Sequence, residues 1–412
     1  MRTSTPARKA YTEGTHRACS PEQTLETIRP FFARAGITRL ADITGLDRIG
    51  IPVTLAIRPN SRTIVGSTGK GVTLAAARAS GAMEAIEMFH AEYCDVPLTQ
   101  ASFNELQAAG HRVMKVQDLP PVKHMTWRED RTYSWCQATE LFSQETCLAP
   151  FAAVNLYPNM GPGNYPKSPL QRSSNGLASG NIMPEAILAG LYEVIERDAY
   201  SLTKVRPDFS TDIQHVVALS SLRYPTVDHL LSLCEMAEVG VLVQDMTSDI
   251  EIPAFVCKVF DRLDPTTGFA IGYGCHLDTE IAISRAITEA VQARAVIQVA
   301  GSRDDTTRYE RWSQALFVDS VADAERMAAT ATYVPRDEHA GQDFNEDTET
   351  VLSKLKRTGI DEAVAVDITL PDFPISVVRV FLPGLEGIST FPTYVRGERA
   401  ARLSRAAKER ST

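Results

Sequence analysis

The chain has 412 residues, 44% of them hydrophobic, and a formal net charge of −9. That length suggests two or three domains or one large intertwined one. The acidic balance argues against a broad nucleic-acid-binding surface, and no run of 18 apolar residues offers a membrane span.

The opening residues, MRTSTPARKAYTEG, contain no apolar run and no small-residue cleavage site, so no secretory signal is expected. Seven cysteines are scattered without a CxxC pair, which reads as reduced, mostly buried thiols of a cytosolic chain. The histidines include no HxxxH pair, so a zinc site has little support, and His90 alone on a helix reads as structural.

In chain order, Ser20-Pro21-Glu22 opens a helix as N-cap and N1 proline, running to about Ala35 and ended by Gly36. Ile37–Ala41 reads as a short strand, Thr44–Asp47 as a turn, and Ile51–Pro59 as an edge strand because of its prolines. Ser67-Thr68-Gly69-Lys70-Gly71 then precedes an alanine-rich helix over Leu74–Tyr93. A glycine-rich turn there would present backbone N–H groups to an anion, although it is not a Walker A motif. A plain turn would explain the two glycines, but not why acids follow at fixed register on the helix it opens.

Ser134–Leu141 and Thr146–Pro150 read as a hairpin, and Asn155–Tyr165 as an exposed Pro/Gly/Asn loop. Ser173–Asn181 (SSNGLASGN) again places small residues before a helix, with a cap near Asn181 and Pro184 in the first turn. An α/β insert follows: a helix over Val217–Cys234, strands at Val239–Gln244 and Ile252–Phe260, and a Gly-interrupted strand at Gly268–Cys275. Asp278 caps a further helix. Residues 301–347 read as a loop or lid, Val351–Thr358 as a short helix, and Ala363–Ile368 and Ile375–Leu382 as β-branched strands.

The chemistry lies in a recurring pattern. LAGLYEVIERDAYS (188–201) carries Glu193 and Glu196 three apart, followed by Arg197. Glu84 and Glu87 stand in the same relation, as do Glu289 and Gln292. Positions three apart share a helix face, where like charges repel unless a cation intervenes. One such face is ordinarily a solvated, ion-paired surface. Three of them, roughly a hundred residues apart, are self-similarity on the scale of a subdomain. If the repeats pack together, Glu84, Glu87, Glu185, Glu193, Glu196 and Glu289 bring four to six carboxylates into one place. Buried carboxylates either protonate or gather cations. Oxygen ligands favour Mg²⁺, and Lys70 with nearby arginines suits a polyphosphate.

At this point the residues resemble a known family. SxGKG before ExxE, SGN before ExxER, and a third helix with E/Q and QxR are similar, in this order, to the YcaO superfamily, from about Arg17 to about Gly387. The resemblance implies an α/β (α+β) YcaO-type fold with intertwined repeated helix/sheet subdomains around a non-Walker ATP site. It implies residues 1–60 as a segment contributing to that site, 61–390 as the catalytic domain and 391–412 as a polar tail. Glu84, Glu87, Glu185, Glu193 and Glu196 would hold Mg²⁺. Lys70, Asn181 and Arg197 would contact ATP, with Arg17 and Thr24 as an N-terminal pair touching the nucleotide. Arg294 would contact a phosphate, with Arg285 as its competitor. An ion pair to Glu193 or Asp198 is the alternative for Arg197.

Such enzymes use ATP to phosphorylate a peptide amide oxygen, which an external nucleophile then displaces. GTHRACSPEQTLE and DITGLDRIGIPV look like the branch paired with TfuA proteins, implying a thioamide product. The C-terminal GERAARLSRAAKERST has no PxPxP motif of the kind azoline-forming members often carry. An azoline-forming cyclodehydratase, or an ATP-binding accessory factor for a ribosomal-protein methylthiotransferase, is the alternative. A peptide or protein substrate, a separate TfuA-like or peptide-binding partner and a homodimer are the implied associations, without nucleic acid or membrane.

Overall fold

The computed structural model describes residues 6–120, 122–156, 169–206, 209, 212–296, 317–390 and 393–410. The fold mixes helix and sheet. Ser20 caps α1 (Pro21–Ile28) in a capping box with Gln23. A 3₁₀ turn and the short α2 (Phe32–Ala35) continue it, until Gly36 enters the left-handed region at φ 74° and stops the helix.

Three short strands follow as an antiparallel sheet, β1 (Arg39–Asp42), β2 (Val53–Ile57) and β3 (Gly66–Lys70), with β2 in the centre. The expected edge strand is therefore an interior one. Pro52 and Pro59 stand just outside it and remove no ladder hydrogen bond. Gly69 and Lys70 of the expected Gly-Lys-Gly turn end a strand, and Gly71 follows it. The next helix, α3 (Leu74–Glu92), begins only at Thr73, whose hydroxyl accepts from the Ala76 N–H.

The largest sheet runs β4 (Leu98–Ser102), β5 (Thr132–Glu140), β11 (Val364–Asp367), β12 (Ser376–Phe381), β7 (Leu177–Gly180), with β6 (Thr146–Pro150) beside β5 as the expected hairpin. The short helices α4 (Phe103–Ala108) and α5 (Phe151–Val154) follow β4 and β6. Strand alternation divides the core. Val364 and Val366 join the cluster of Ile86 and Trp135 from α3 and β5, whereas Ala365 faces the cluster of Leu191 and Ile195. The last two belong to α6 (Met183–Thr203), so α3 and α6 cover opposite faces of this sheet.

A third sheet, β10–β9–β8, consists of β8 (Val239–Asp245), β9 (Ala254–Asp261) and β10 (Phe269–Cys275). It packs against α7 (Pro225–Met236) and α8 (Thr279–Ala293) around a core that includes Phe255 and Ile287. The helix expected over 217–234 starts later, because Tyr224 before Pro225 is held extended while proline suits the first turn.

Of the expected loop at 155–165, residues 157–165 lie outside the described residues, as do 301–316 of the expected lid. Within the rest of that lid, Phe317–Thr330 is a helix, α9, against β8, and α10 (Phe344–Arg357) extends the short helix expected at 351–358. The C-terminal residues expected as a polar tail form α11 (Glu398–Arg410), docked on α6 through the buried Arg399. No helix among the described residues is long and apolar enough to cross a membrane. The seven cysteines are all free, and five of them are buried.

Candidate functional site

Three strand–helix units carry the site, and glycine lets each pack closely. A Cβ on Gly69 of β3 would lie 2.0 Å from the Ala77 carbonyl oxygen and 2.3 Å from the Gly81 nitrogen of α3. On β10, a Cβ at Gly274 would lie 2.0 Å from the Ala282 oxygen, and one at Gly272 would lie 2.1 Å from the Ala290 nitrogen of α8. At the end of β7, a Cβ at Gly180 would lie 2.6 Å from the Ala186 nitrogen of α6. These glycines are contact points between strand and helix, and Gly69 is not part of a phosphate-binding turn.

Each helix packs an apolar side into the core and turns a glutamate or more toward one shared space: Glu84 and Glu87 on α3, Glu185, Glu193 and Glu196 on α6, and Glu289 on α8. A cavity of about 420 Å³ results, lined by Glu84 and Glu87 from α3, Glu185, Glu193, Glu196 and Arg197 from α6, Arg285 and Glu289 from α8, Lys70 from β3 and Asn181. Residues 13–24 close one side, including His16, Arg17 and Thr24. Ten of the eleven site residues expected from sequence thus meet in one chamber: Arg17, Thr24, Lys70, Glu84, Glu87, Asn181, Glu185, Glu193, Glu196 and Arg197.

Arg294 does not. It follows the last residue of α8, and its side chain is buried in ion pairs with Asp47 at 2.8 Å and Asp261 at 2.9 Å. Its charge ties the β1–β2 connection to β9. The competing Arg285 is the arginine of α8 that reaches the cavity.

Hydrogen bonds order the walls. The Lys70 ammonium donates to Glu289 Oε2, and the Tyr273 N–H reaches Glu289 Oε1 at 3.3 Å. Glu289 was visible as the third acid of the pattern, but no local signal gives it a lysine 219 residues away. Ser179 donates to Glu87 at 3.0 Å. Glu185 Oε2 accepts from the N–H groups of Ala18 and Asn181, both at 3.2 Å, and from the Asn181 amide at 3.3 Å. The Arg17 guanidinium lies 3.5 Å from Glu185 Oε1. Thr24 donates to Asn181 Oδ1 at 2.9 Å. Glu185 therefore pins the N-terminal segment over the cavity. Arg197 approaches Glu196 at 3.8 Å and stacks above Tyr273 at 5.3 Å.

Charge is concentrated here. Burial pushes Glu193 up to about 7, with Glu196 and Glu289 adding to it and Arg197 opposing. Burial within the cleft likewise lifts Glu84 to about 7 against Lys70, although this side chain opens onto the cavity. Glu87 is raised further by burial and by Glu193 and Glu84. For Glu289, burial pushes up, but Lys70 and Arg197 together hold it below the usual carboxylate range. The cluster is short of positive charge, and carboxylates in this condition bind a cation or a proton.

Among the described residues, no three acidic, histidine or cysteine side chains already close around a single point. The carboxylates form a lining. Their all-oxygen character fits a hard divalent ion that retains water and shares phosphate oxygens. Among the described residues, the buried Nε atoms of Arg197 and Arg285 have no hydrogen-bond partner, leaving donors for an anion at the same cavity.

Comparison with known proteins places this geometry. A family model described as YcaO cyclodehydratase, ATP- and Mg²⁺-binding, matches residues 68–386. An uncharacterized protein in the tfuA 3′ region of Rhizobium leguminosarum bv. trifolii is 35% identical over 405 residues, covering 95% of this chain and 94% of that protein. The structure of YcaO from Methanopyrus kandleri bound with AMPPCP and Mg²⁺ superposes with a TM-score of 0.72 at 20% identity, covering 95% of this chain and 99% of that one. A heterocyclase in complex with substrate and cofactor gives a TM-score of 0.77 at 22% identity, over 97% of this chain and 56% of that one.

Proposed function

Because the chain belongs to the YcaO cyclodehydratase family, which binds ATP and Mg²⁺, we infer that it uses ATP to activate a peptide backbone amide for attack by a sulfur nucleophile, giving a thioamide. The observation that carries this reading is the convergence of Glu84, Glu87, Glu193, Glu196, Lys70, Arg197 and Arg285 on one cavity. The tfuA-region relative favours sulfur as the nucleophile over an internal side chain.

The chemistry follows from need. An amide oxygen is a poor leaving group, and as a phosphate ester it departs readily. Transfer of a γ-phosphoryl group asks mainly for positioning and charge neutralisation. Glu84, Glu87, Glu193 and Glu196 would hold Mg²⁺, which offsets the phosphate charge when bound. Lys70, Arg197 and Arg285 would grip phosphate oxygens by charge-assisted hydrogen bonds. The segment 13–24, pinned by Glu185, would cover the nucleotide and exclude water. No protein nucleophile takes part. The substrate is a peptide or protein, brought by a separate TfuA-like or peptide-binding partner.

Purified protein supplied with peptide, ATP, Mg²⁺, sulfide and a tfuA-encoded partner should give a peptide heavier by sulfur in place of oxygen. Loss of one water would instead identify an azoline product. ATP hydrolysis without any change in peptide mass would support the accessory role. Glu193→Ala should abolish ATP turnover, and unimpaired turnover would defeat the proposed site.

A further inference from the structure

The chamber has two unlike ends. At its mouth Ile64 is 57% exposed, whereas Ser284, Phe344, His276 and Tyr192 at the inner end are 2%, 2%, 6% and 7% exposed. His16 and Arg285 complete this inner corner. Lys70, Glu196 and Glu289 mark the opposite end. Glu196 stands one turn beyond Tyr192 on α6, and Glu289 one turn beyond Arg285 on α8.

The polar groups of the corner are left as donors. The Lys9 ammonium, itself buried against Asp347, donates to His16 Nδ1 at 3.1 Å, and the Asp278 N–H donates to His276 Nδ1 at 2.9 Å. A ring nitrogen that accepts carries no proton, so both imidazoles are neutral and hold their proton on Nε2. Burial and Lys9 hold His16 down to about 4, and burial takes His276 well below the usual histidine range. Asp347 and Asp278, behind the rings, are engaged by Lys9 and by the Ile281 N–H at 3.1 Å. A serine inside a helix can bond the carbonyl four residues back, as the Thr288 hydroxyl does to Ser284 at 2.9 Å. The Ser284 hydroxyl makes no hydrogen bond among the described residues, nor does that of Tyr192, which the Leu277 backbone approaches.

Buried polar groups in this condition call for a partner. The walls say which kind. His276 lies between His16 and Tyr192, with ring centroids 5.2 and 4.8 Å away, and Phe344 adds an apolar surface. Aromatic walls with a few neutral donors suit a flat, uncharged heterocycle whose ring nitrogens accept hydrogen bonds. A phosphate is drawn instead to the charged groups toward Lys70 and Arg197. An internal amide of a peptide cannot be threaded into a closed end, whereas the base of a nucleotide is a terminus.

We propose that His16, Tyr192, His276 and Ser284 form the subsite for the purine base at the inner end of the chamber. The proposal rests on ATP occupying this chamber and not on the thioamide product. The two imidazole N–H groups donate to ring nitrogens. The two hydroxyls, which both donate and accept, also serve the exocyclic amino group. Arg285, between this corner and Glu289, stays with the phosphates.

Calorimetric titration of the full chain with Mg²⁺-ATP and with Mg²⁺-tripolyphosphate, which lacks the base, separates the two ends. Wild type should bind ATP the more tightly. Tyr192→Phe and Ser284→Ala remove hydroxyls that bond nothing in the fold, so neither should lower the melting temperature. Each should weaken ATP about twofold to tenfold, the effect of one neutral hydrogen bond, and leave tripolyphosphate unchanged. His16→Phe keeps a ring and leaves Lys9 bonded to Asp347 and to the Gly341 carbonyl, and should do the same. Equal affinity of wild type for the two ligands, or ATP affinity unchanged in all three variants, overturns the subsite. Equal weakening of both ligands overturns it as well, since the corner would then serve the phosphates or the fold alone. A wild type that binds neither ligand defeats the nucleotide reading of the chamber itself.

Discussion

Two arginines of one helix region show how residue-level geometry separates stability from chemistry. Arg294 neutralises Asp47 and Asp261 in a buried network that Arg48 joins with two hydrogen bonds of 2.8 Å. Burial works against ionised Asp261, but the donors of Arg48, the Asp264 N–H and Arg294 hold it well below the usual carboxylate range. Arg285 instead lines the cavity, and among the described residues its buried Nε has no hydrogen-bond partner. Arg294→Ala is therefore expected to destabilise by about 3–5 kcal/mol at neutral pH, the effect of leaving buried carboxylates unpaired. Arg285→Ala should instead raise KM for ATP about tenfold or more with little change in melting. The sign with pH follows from the depressed Asp261. Its stabilisation is present above the unfolded-state value of about 3.9 and is lost as pH falls below it. The gap between wild type and Arg294→Ala should thus narrow toward pH 3.5 in thermal denaturation. A gap independent of pH would contradict this account.

At the scale of elements, the three acid-bearing helices are placed by the glycines opposite them. Gly69→Ala would drive a methyl group into the Ala77 carbonyl, and backbone cannot move aside as a side-chain tip can. Overpacking of this kind costs about 1–3 kcal/mol or more, and the shift of β3 would carry Lys70 away from Glu289. Melting temperature and ATP affinity should fall together. Gly45→Ala, with nothing within 4 Å of the added carbon, should change stability by no more than about 0.5 kcal/mol. Equal behaviour of the two variants would refute the packing role. The same comparison shows what sequence could reveal. Helical periodicity exposed the acids and the buried faces of α3, α6 and α8, because spacing along one helix is a local property. Gly69 was misread, because a strand pressed against a helix and a phosphate-binding turn have the same composition. Arg294 was misread for a related reason: QxR spacing gives a helical phase but not the partner waiting at the helix end.

Over the whole molecule, the site is assembled from segments far apart in the chain: 13–24, 70–88, 174–197 and 276–289. Both ends of the described chain are tied into this assembly. The Lys9 ammonium is buried against Asp347 of α10, and Arg399 of α11 grips Asp198 of α6 with hydrogen bonds of 3.0 and 3.1 Å. Asp198 is fully buried, also accepts from the Glu386 N–H at 2.9 Å, and directly follows Arg197. The C-terminal helix thus braces the turn of α6 that presents Glu196 and Arg197 to the cavity. Removing the guanidinium strands a buried carboxylate, so Arg399→Ala should cost about 3–5 kcal/mol. Arg399→Lys should fall between the two, since a lysine keeps the charge but loses the planar fork. Limited proteolysis should cut Arg399→Ala near residues 393–397 sooner than wild type, and ATP turnover should drop with it as the α6 turn loosens. If Arg399→Ala melts and resists protease like wild type, α11 is only an appendage and the brace does not exist.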